Sequence, residues 1–271
     1  MTAVAAIQMT TSADVAGNLA ESGRLLGEAR SRGAQVAVLP ENFAFMGISE
    51  SDKFAIAEEQ GAGPIQEFVA STARELGMWV VAGTIPLRIA GEPRLAAASL
   101  VFDHEGRCVA RYDKIHLFDV EIPGREERYQ ESASVRPGVE PVCVDTPAGR
   151  LGLAVCYDVR FPELFRRLLE LGAQWFCLPS AFTAPTGRAH WETLLRARAI
   201  ENLCHVVAPA QSGFHQNGRE TYGDSMIVDC WGRVLARLPR GTGVVVANID
   251  LVRQREVRQN FPSVTHRRLQ A

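Results

Sequence analysis

The sequence of 271 residues lacks the features that mark several large classes of protein. Lys and Arg total 29 against 31 Asp and Glu, so the formal net charge is −2, and no long run of either sign occurs. That balance argues against nucleic acid or an anionic membrane as a main partner. No stretch is long and apolar enough to cross a bilayer, and MTAVAAIQMTTSADV has no basic region before its apolar part, unlike a secretory signal. We therefore expect a cytoplasmic protein.

Several catalytic and binding motifs are also missing. There is no G-x-S-x-G, no G-x-G-x-x-G and no G-x-x-x-x-G-K-[ST], so a serine hydrolase, a dinucleotide site and a P-loop lack their signatures. The six cysteines include no C-x-x-C pair, which argues against a disulfide framework. His190-Trp191-Glu192 resembles the H-x-E of zinc deaminases, but no P-C-x-x-C follows, so we expect a structural role for it.

Short apolar runs alternate with amphipathic segments along the whole chain, in which 46% of residues are hydrophobic. The patterns predict helices over about 18–32, 64–77, 162–171 and 189–202, strands at 3–9, 36–40, 79–84, 175–179, 205–210 and 244–250, and hairpins within 96–113, 142–156 and 224–238. Helices and hairpins both separate the strands, which indicates an α/β fold with mixed sheets. No linker or composition shift marks a boundary, so we expect one domain over residues 1–271.

Three residues with catalytic chemistry come directly after predicted strands: Glu41, Lys114 and Cys156. Buried strands hold such side chains rigidly at one edge of a sheet, where sites tend to form. The chain after Cys156 turns into a helix that begins at Pro162, and this arrangement brings backbone N–H groups close to the sulfur. Cys156 is therefore a candidate nucleophile beside an oxyanion site.

A thiol needs a base or a nearby cation to become a useful nucleophile, because its free pKa is about 8.5. Glu41 can act as the base and Lys114 can supply the positive charge. Spacing alone leaves other interpretations open, since a cysteine is often a core residue and a glutamate or lysine after a strand is often solvated. A Cys–His pair that uses His116 or His190 is a further alternative.

A set of ordered motifs resembles the nitrilase, or carbon–nitrogen hydrolase, superfamily over almost the whole chain. The matching segments are LPENFAF (39–45), RYDKIHLFDVEIPG (111–124), YQES (129–132), GLAVCYDVRFPEL (152–164), PSAFTAPTGRAHWETLLRARAIEN (179–202) and YGDSMIVDCWG (222–232). The resemblance implies a four-layer α-β-β-α sandwich in which Glu41 is the general base, Lys114 the catalytic lysine and Cys156 the nucleophile. Glu131 matches a second glutamate that holds the lysine and the substrate amide.

The resemblance also implies an activity and its setting. Members of this family hydrolyse a carbon–nitrogen bond through a cysteine thioester, use no metal or organic cofactor, and assemble as homodimers or larger homo-oligomers. Within the family the motifs are most similar to the branch that converts deaminated glutathione to 2-oxoglutarate and cysteinylglycine. The alternatives are an ω-amidase acting on 2-oxoglutaramate and a non-catalytic binding protein on the same fold.

A further group of residues is expected to bind the substrate of such an amidase. The Tyr157 backbone N–H would stabilise the oxyanion together with Lys114. Arg160 would bind a substrate carboxylate, or else form a salt bridge to Glu163 or Asp158. Two loop residues would line the acyl pocket or only pack the loop: Phe182 and Thr186.

One position departs from the family pattern. Close relatives usually have proline in the stretch where this chain has Arg188. The arginine would add a cation beside the substrate mouth, or would simply be a solvated residue at a helix start.

Overall fold

Two β-sheets packed face to face form the centre of the molecule. The computed structural model describes residues 1–122 and 127–269. The helices are α1 (Val15–Ser31), α2 (Pro64–Leu76), α3 (Pro162–Glu170), α4 (Ala184–Asn202) and α5 (Leu251–Asn260). The strands are β1 (Thr2–Gln8), β2 (Val36–Val38), β3 (Trp79–Val81), β4 (Ile85–Ile89), β5 (Glu92–Phe102), β6 (Cys108–Asp113), β7 (Asp119–Glu121), β8 (Arg128–Gln130), β9 (Cys143–Thr146), β10 (Gly149–Leu153), β11 (Trp175–Cys177), β12 (His205–Ala208), β13 (Ser212–Phe214), β14 (Glu220–Tyr222), β15 (Ser225–Val228), β16 (Val234–Leu238) and β17 (Gly243–Ile249).

The first sheet has the order β17-β1-β2-β3-β5-β4, with β6 also paired to β5. Strand β1 is buried on both faces, because its side chains point alternately into two hydrophobic cores. Ala5 and Ile7 pack with α1 and α2, whereas Val4 and Ala6 belong to the core shared with the second sheet. Helices α1 and α2 therefore form one outer layer.

The second sheet has the order β16-β15-β12-β11-β10-β9. Helix α3 packs on β10 and helix α4 on β12 and β15, while β1 of the first sheet contacts β12 and β15 from the other side. Parallel pairs β10–β11 and β11–β12 are joined through α3 and α4, as crossover connections require. The result is the predicted four-layer α-β-β-α sandwich.

Some boundaries differ from the sequence-based prediction. The helix predicted to start at residue 189 begins at Ala184, because Pro185 is tolerated in a first helical turn. Gly187 lies inside that helix, where a Cβ atom would come within 2.3 Å of the Tyr222 side chain. Strands β4, β7, β8, β13 and β14 and helix α5 were not predicted. Among the described residues, no helix is both long and apolar enough to span a membrane. The single-domain organisation stays a prediction.

Candidate active site

Glu41 lies just after β2 at the carboxyl end of the first sheet. The chain is held there by a hydrogen bond from the Leu39 N–H to the Val81 carbonyl (2.9 Å) and by the Gln211 side-chain amide, which donates to the Glu41 carbonyl (3.0 Å). Asn42 has a left-handed backbone (φ 58°), and its N–H donates to the Thr84 hydroxyl. These contacts turn the chain sharply and leave the Glu41 side chain buried.

Lys114 follows β6 and lies between two carboxylates. Its side chain is only 2% exposed, and its Nζ is 2.8 Å from Glu41 Oε1 and 2.8 Å from Glu131 Oε2. Burial alone would lower the pKa of Lys114, but Glu131 and Glu41 outweigh it and raise that pKa well above its ordinary value. The lysine is therefore a fixed positive charge in the site.

Glu131 opens a short 3₁₀ turn (Glu131–Ala133) after β8. Its Oε2 also accepts a hydrogen bond from the Phe118 backbone N–H (2.7 Å). Burial would raise the pKa of this carboxyl, and Lys114 and then Lys53 more than offset that effect and lower it. Glu131 thus stays charged and holds the lysine in place.

Cys156 begins a 3₁₀ turn (Cys156–Arg160) beyond the end of β10, and its backbone is left-handed at φ 48°. For a non-glycine residue this conformation is uncommon and costs energy, which the Cys156 N–H offsets by donating to the Pro179 carbonyl (2.9 Å). Inside the turn, Asp158 N–H donates to Val155 O. Tyr157 lies one residue before Asp158, in the first turn, where backbone N–H groups have no partner within the helix.

The thiol of Cys156 is buried and faces polar groups on two sides. The Glu41 carboxylate and the Ala181 backbone N–H lie close enough to act on its pKa. Burial raises the pKa of the thiol, Glu41 raises it further, and Lys114 opposes both. The free site therefore holds a neutral thiol beside a carboxylate that can accept its proton.

Asp158 ties the nucleophile turn to the segment that bears the lysine. It is fully buried and accepts hydrogen bonds from the Tyr112 hydroxyl (2.7 Å), the Val155 N–H (2.8 Å) and the His116 N–H (3.1 Å). The His116 ring nitrogen Nδ1 also lies 2.7 Å from this carboxylate. Tyr112 and His116 flank Lys114 in sequence, so this network fixes Lys114 relative to Cys156.

A cleft of about 530 Å³ brings together the residues that the sequence predicted for catalysis, oxyanion binding and substrate binding. The predicted residues that line it are Glu41, Lys114, Glu131, Cys156, Tyr157, Arg160, Phe182 and Thr186. Arg160 forms neither of the expected salt bridges. Its guanidinium instead lies over the rings of Tyr157 and Phe182 (5.7 and 5.2 Å to the centroids) and 3.3 Å from His190 Nδ1.

Phe182 is buried and packs against Trp191, with ring centroids 4.9 Å apart. The Thr186 hydroxyl lies 2.7 Å from the Thr183 hydroxyl in the first turn of α4. Both residues therefore contribute to packing and to the wall of the cleft.

Arg188 and the two histidines lie outside the cleft. Arg188 is exposed on α4 and borders a separate groove that also contains Phe214 and Arg240. His116 is engaged by Asp158 and stacked on Phe161 (3.7 Å between centroids), and His190 contacts Arg160. Neither histidine is placed to activate Cys156.

Within residues 1–122 and 127–269, no group of three or more His, Cys, Asp or Glu side chains could hold a metal ion.

Several residues of the cleft were not predicted from the sequence. Lys53 reaches it from a 3₁₀ turn (Glu50–Ala55) and pairs with Glu50 at 2.6 Å. Arg219 reaches it from the turn between β13 and β14, and its guanidinium lies 5.1 Å from the centroid of the Tyr129 ring. No local motif marks these positions, because only the packing of distant loops brings them to the site.

The chain is similar to known proteins over nearly its full length. The carbon–nitrogen hydrolase family model matches residues 3–259. A deaminated glutathione amidase of Synechocystis sp. is 44% identical over 267 residues, which is 97% of each chain. The human deaminated glutathione amidase is 43% identical over 98% of this chain and 82% of its own. The crystal structure of the Caenorhabditis elegans NitFhit protein superposes with a TM-score of 0.90 at 39% identity, covering 98% of this chain and 65% of that one. The buried Glu–Lys–Cys cluster therefore stands in a member of the carbon–nitrogen hydrolase family, and this is the family to which the chain belongs.

Proposed function

We propose that the chain is an amidase that hydrolyses deaminated glutathione to 2-oxoglutarate and cysteinylglycine. The observation that carries this proposal is the position of the Cys156 thiol between the Glu41 carboxylate and the Lys114 ammonium, inside a cleft that Arg160 also lines. The names of the Synechocystis and human relatives support the choice of substrate. The catalytic and substrate-binding roles of the individual residues are part of the same proposal.

The first half of the reaction forms a thioester. Glu41 accepts the thiol proton as the sulfur attacks the amide carbon, so that the thiolate exists only once the substrate is present. The Tyr157 N–H and the Lys114 ammonium then donate hydrogen bonds to the oxyanion, and the loss of one such donor typically costs about 2.7–4 kcal/mol. The protonated Glu41 returns its proton to the amide nitrogen, and cysteinylglycine leaves as an amine.

The second half hydrolyses the thioester. Glu41, again a carboxylate, takes a proton from a water molecule as that water attacks the acyl carbon. The same oxyanion donors serve a second time, and the sulfur leaves with the proton from Glu41. The products are 2-oxoglutarate and the free thiol, so one carboxyl group alternates between base and acid.

Recognition of the acyl part follows from its charge. The 2-oxo acid carries a carboxylate, and a guanidinium is well suited to bind it in a bidentate manner. We assign this role to Arg160, whose guanidinium lies against aromatic rings and pairs with no carboxylate of the described residues. Phe182, whose ring lies under this guanidinium, and Thr186 complete the lining of the acyl pocket.

Two alternative functions must be distinguished from this one by experiment. An ω-amidase would act on 2-oxoglutaramate and release ammonia through the same steps, and a binding protein would not turn over an amide at all. Steady-state assays of deaminated glutathione and 2-oxoglutaramate side by side distinguish all three. We expect a higher kcat/KM for deaminated glutathione. A preference for 2-oxoglutaramate would support the ω-amidase, and no turnover of either would support the binding protein.

The compartment, the oligomeric state and the cofactor requirement of the enzyme are part of the same proposal. The family resemblance supports a homodimer or larger homo-oligomer, the balanced charge of the sequence fits a cytoplasmic protein, and the Glu–Lys–Cys cluster fits action on a small amide without a metal or an organic cofactor. Sedimentation of the purified protein would measure the oligomer size.

A further inference from the structure

The turn between β13 and β14 brings a second guanidinium to the cleft. Residues 215–219 form this turn, and His215 N–H donates to the Arg219 carbonyl (2.9 Å). The buried His215 ring anchors it, with Nδ1 2.8 Å from the Thr11 carbonyl and Nε2 2.7 Å from the Thr221 hydroxyl. Arg219 is therefore held in place by a fixed turn, which is what a preorganised binding residue requires.

Arg219 also lies close to the reacting sulfur. Its guanidinium donates a hydrogen bond to the carbonyl of Ala181, whose own N–H faces Cys156. The two atoms belong to one residue, and a residue spans at most about 3.6 Å of extended chain. Cysteinylglycine, the leaving part of deaminated glutathione, reaches at most about 7 Å by the same measure. Arg219 and Cys156 line the same cleft, so this length suits a terminal carboxylate at Arg219 with the amide at the sulfur.

An aromatic wall separates Arg219 from Arg160. Tyr129, Phe118 and Tyr157 stand in a row, with ring centroids 5.1 Å apart at each step. Arg219 lies over the Tyr129 end of the row and Arg160 over the Tyr157 end. Two cations at opposite ends of one wall match a substrate with a carboxylate at each end.

The charge of Arg219 is available for a ligand. No carboxylate of the described residues pairs with it: its guanidinium donates to the Ala181 carbonyl, and its buried Nε has no hydrogen-bond partner among those residues. Lys53, the other cation in this half of the cleft, is already paired with Glu50. A substrate carboxylate would satisfy the unused guanidinium donors.

We infer that Arg219 binds the carboxylate of the leaving group and so selects amides whose leaving amine is a peptide with a free carboxylate. This inference rests on the proposed function, because it assumes that the scissile bond joins an acyl group to cysteinylglycine. It distinguishes this substrate class from the primary amide 2-oxoglutaramate, which has no group on the leaving side to reach Arg219.

The test uses three substrates: deaminated glutathione, its C-terminal glycinamide analogue and 2-oxoglutaramate. With the wild-type protein, we expect kcat/KM to be about tenfold or more higher for the acid than for the glycinamide, as befits a lost charge-assisted hydrogen bond. In R219Q this ratio should approach one, and in R219K it should be intermediate. R188Q is the matched control, because Arg188 is exposed on α4 outside the cleft, and it should keep the wild-type ratio.

The outcomes separate the inference from the proposed function. If the wild type does not cleave deaminated glutathione, the proposed function fails and the inference with it. If the wild type cleaves the acid and the glycinamide equally well, only the role of Arg219 is overturned. The role is also overturned if R219Q lowers kcat/KM for all three substrates by one common factor, because that result would indicate that Arg219 only supports Ala181.

Discussion

The central group of residues combines a buried cation and a buried thiol with one buried and one partly buried carboxylate. Lys114 pairs with both carboxylates and balances one of their two negative charges, while burial and Glu41 keep the thiol protonated in the free protein. Such a cluster is stable only as a unit, since each charge would be costly to bury alone. Because the thiol is protonated in the free protein, Cys156 needs Glu41 to accept its proton before it can attack. Substitutions at Glu41 and Lys114 test these charge interactions.

Glu41→Gln should separate the reactivity of the thiol from catalysis. Burial is the first cause of the raised Cys156 pKa and remains in the variant, but the negative charge that raises it further is removed while Lys114 stays. The pKa should fall, so the thiolate fraction at a given pH rises. We expect faster alkylation of Cys156 by iodoacetamide at pH 8, while amide turnover drops about 100-fold or more because the general base is lost.

Peptide mapping by mass spectrometry measures the alkylation of Cys156 separately from that of the exposed Cys108, which serves as an internal reference. Glu50→Gln is the matched control, because that carboxylate lines the cleft but pairs with Lys53. Slower alkylation of Cys156 in Glu41→Gln would contradict the assigned electrostatics.

Lys114→Met should destabilise the fold as well as abolish turnover. The substitution leaves the buried Glu41 and the partly buried Glu131 without their cation, and removing one partner of a buried ion pair costs about 3–5 kcal/mol. Lys53→Met breaks a pair whose carboxylate is half exposed, so we expect a loss of about 1 kcal/mol or less. Urea unfolding of both variants gives the comparison, and equal losses would show that the buried pairs add nothing to stability.

At the scale of elements, the strand ends and their following turns position the site. Glu41 follows β2, Lys114 follows β6, and Cys156 follows β10 of the other sheet. Each of these turns is closed by backbone hydrogen bonds to a neighbouring segment, such as that from Cys156 N–H to Pro179 O. The geometry of catalysis is therefore set by backbone packing several residues away from the reacting atoms.

Gly83→Ala tests this dependence at the turn that holds Glu41. Gly83 has φ +39°, and a Cβ atom there would lie 1.9 Å from the Pro40 carbonyl oxygen. Pro40 must therefore move, and Glu41 with it. We expect kcat to fall about tenfold or more, since small misplacements of a catalytic group can cost up to about 100-fold.

Gly91→Ala is the control, because Gly91 also has a positive φ (+75°) but a Cβ atom there would meet nothing within 4 Å. This variant should lose only the stability that a left-handed alanine costs, about 1–2 kcal/mol, and should keep its kcat. Equal kcat values in the two variants would show that the position of Pro40 does not control Glu41.

Over the whole molecule, the sequence predicted the sandwich and the positions of the central residues for identifiable reasons. Helices α1 to α4 and most core strands carry clear periodicity, and Pro64, Gly77 and Pro162 mark helix ends. Helix α5 was missed because its one buried residue is Gln254, so no apolar stripe reveals it. Cys156, Glu41 and Lys114 were found because each follows a strand, and family motifs then added Glu131.

The rest of the cleft could not be predicted because it is assembled from loops that are distant in sequence. Lys53 and Arg219 are 166 residues apart in the sequence, yet both line the same cleft as Tyr129. Nothing in the local sequence of either residue signals a site. Asp158 lies in the motif around Cys156, but its partners Tyr112 and His116 come from the segment around Lys114, and only the fold brings the two segments together.

The most direct test of the central claim is the intact mass of the protein quenched with acid during turnover of deaminated glutathione. The account predicts a single adduct with the mass of the 2-oxoglutaryl group, located on Cys156 by peptide mapping. In Cys156→Ala the adduct and turnover should both be absent while the protein remains folded. An adduct on another residue, or amidase activity that persists in Cys156→Ala, would contradict the assignment of Cys156 as the nucleophile.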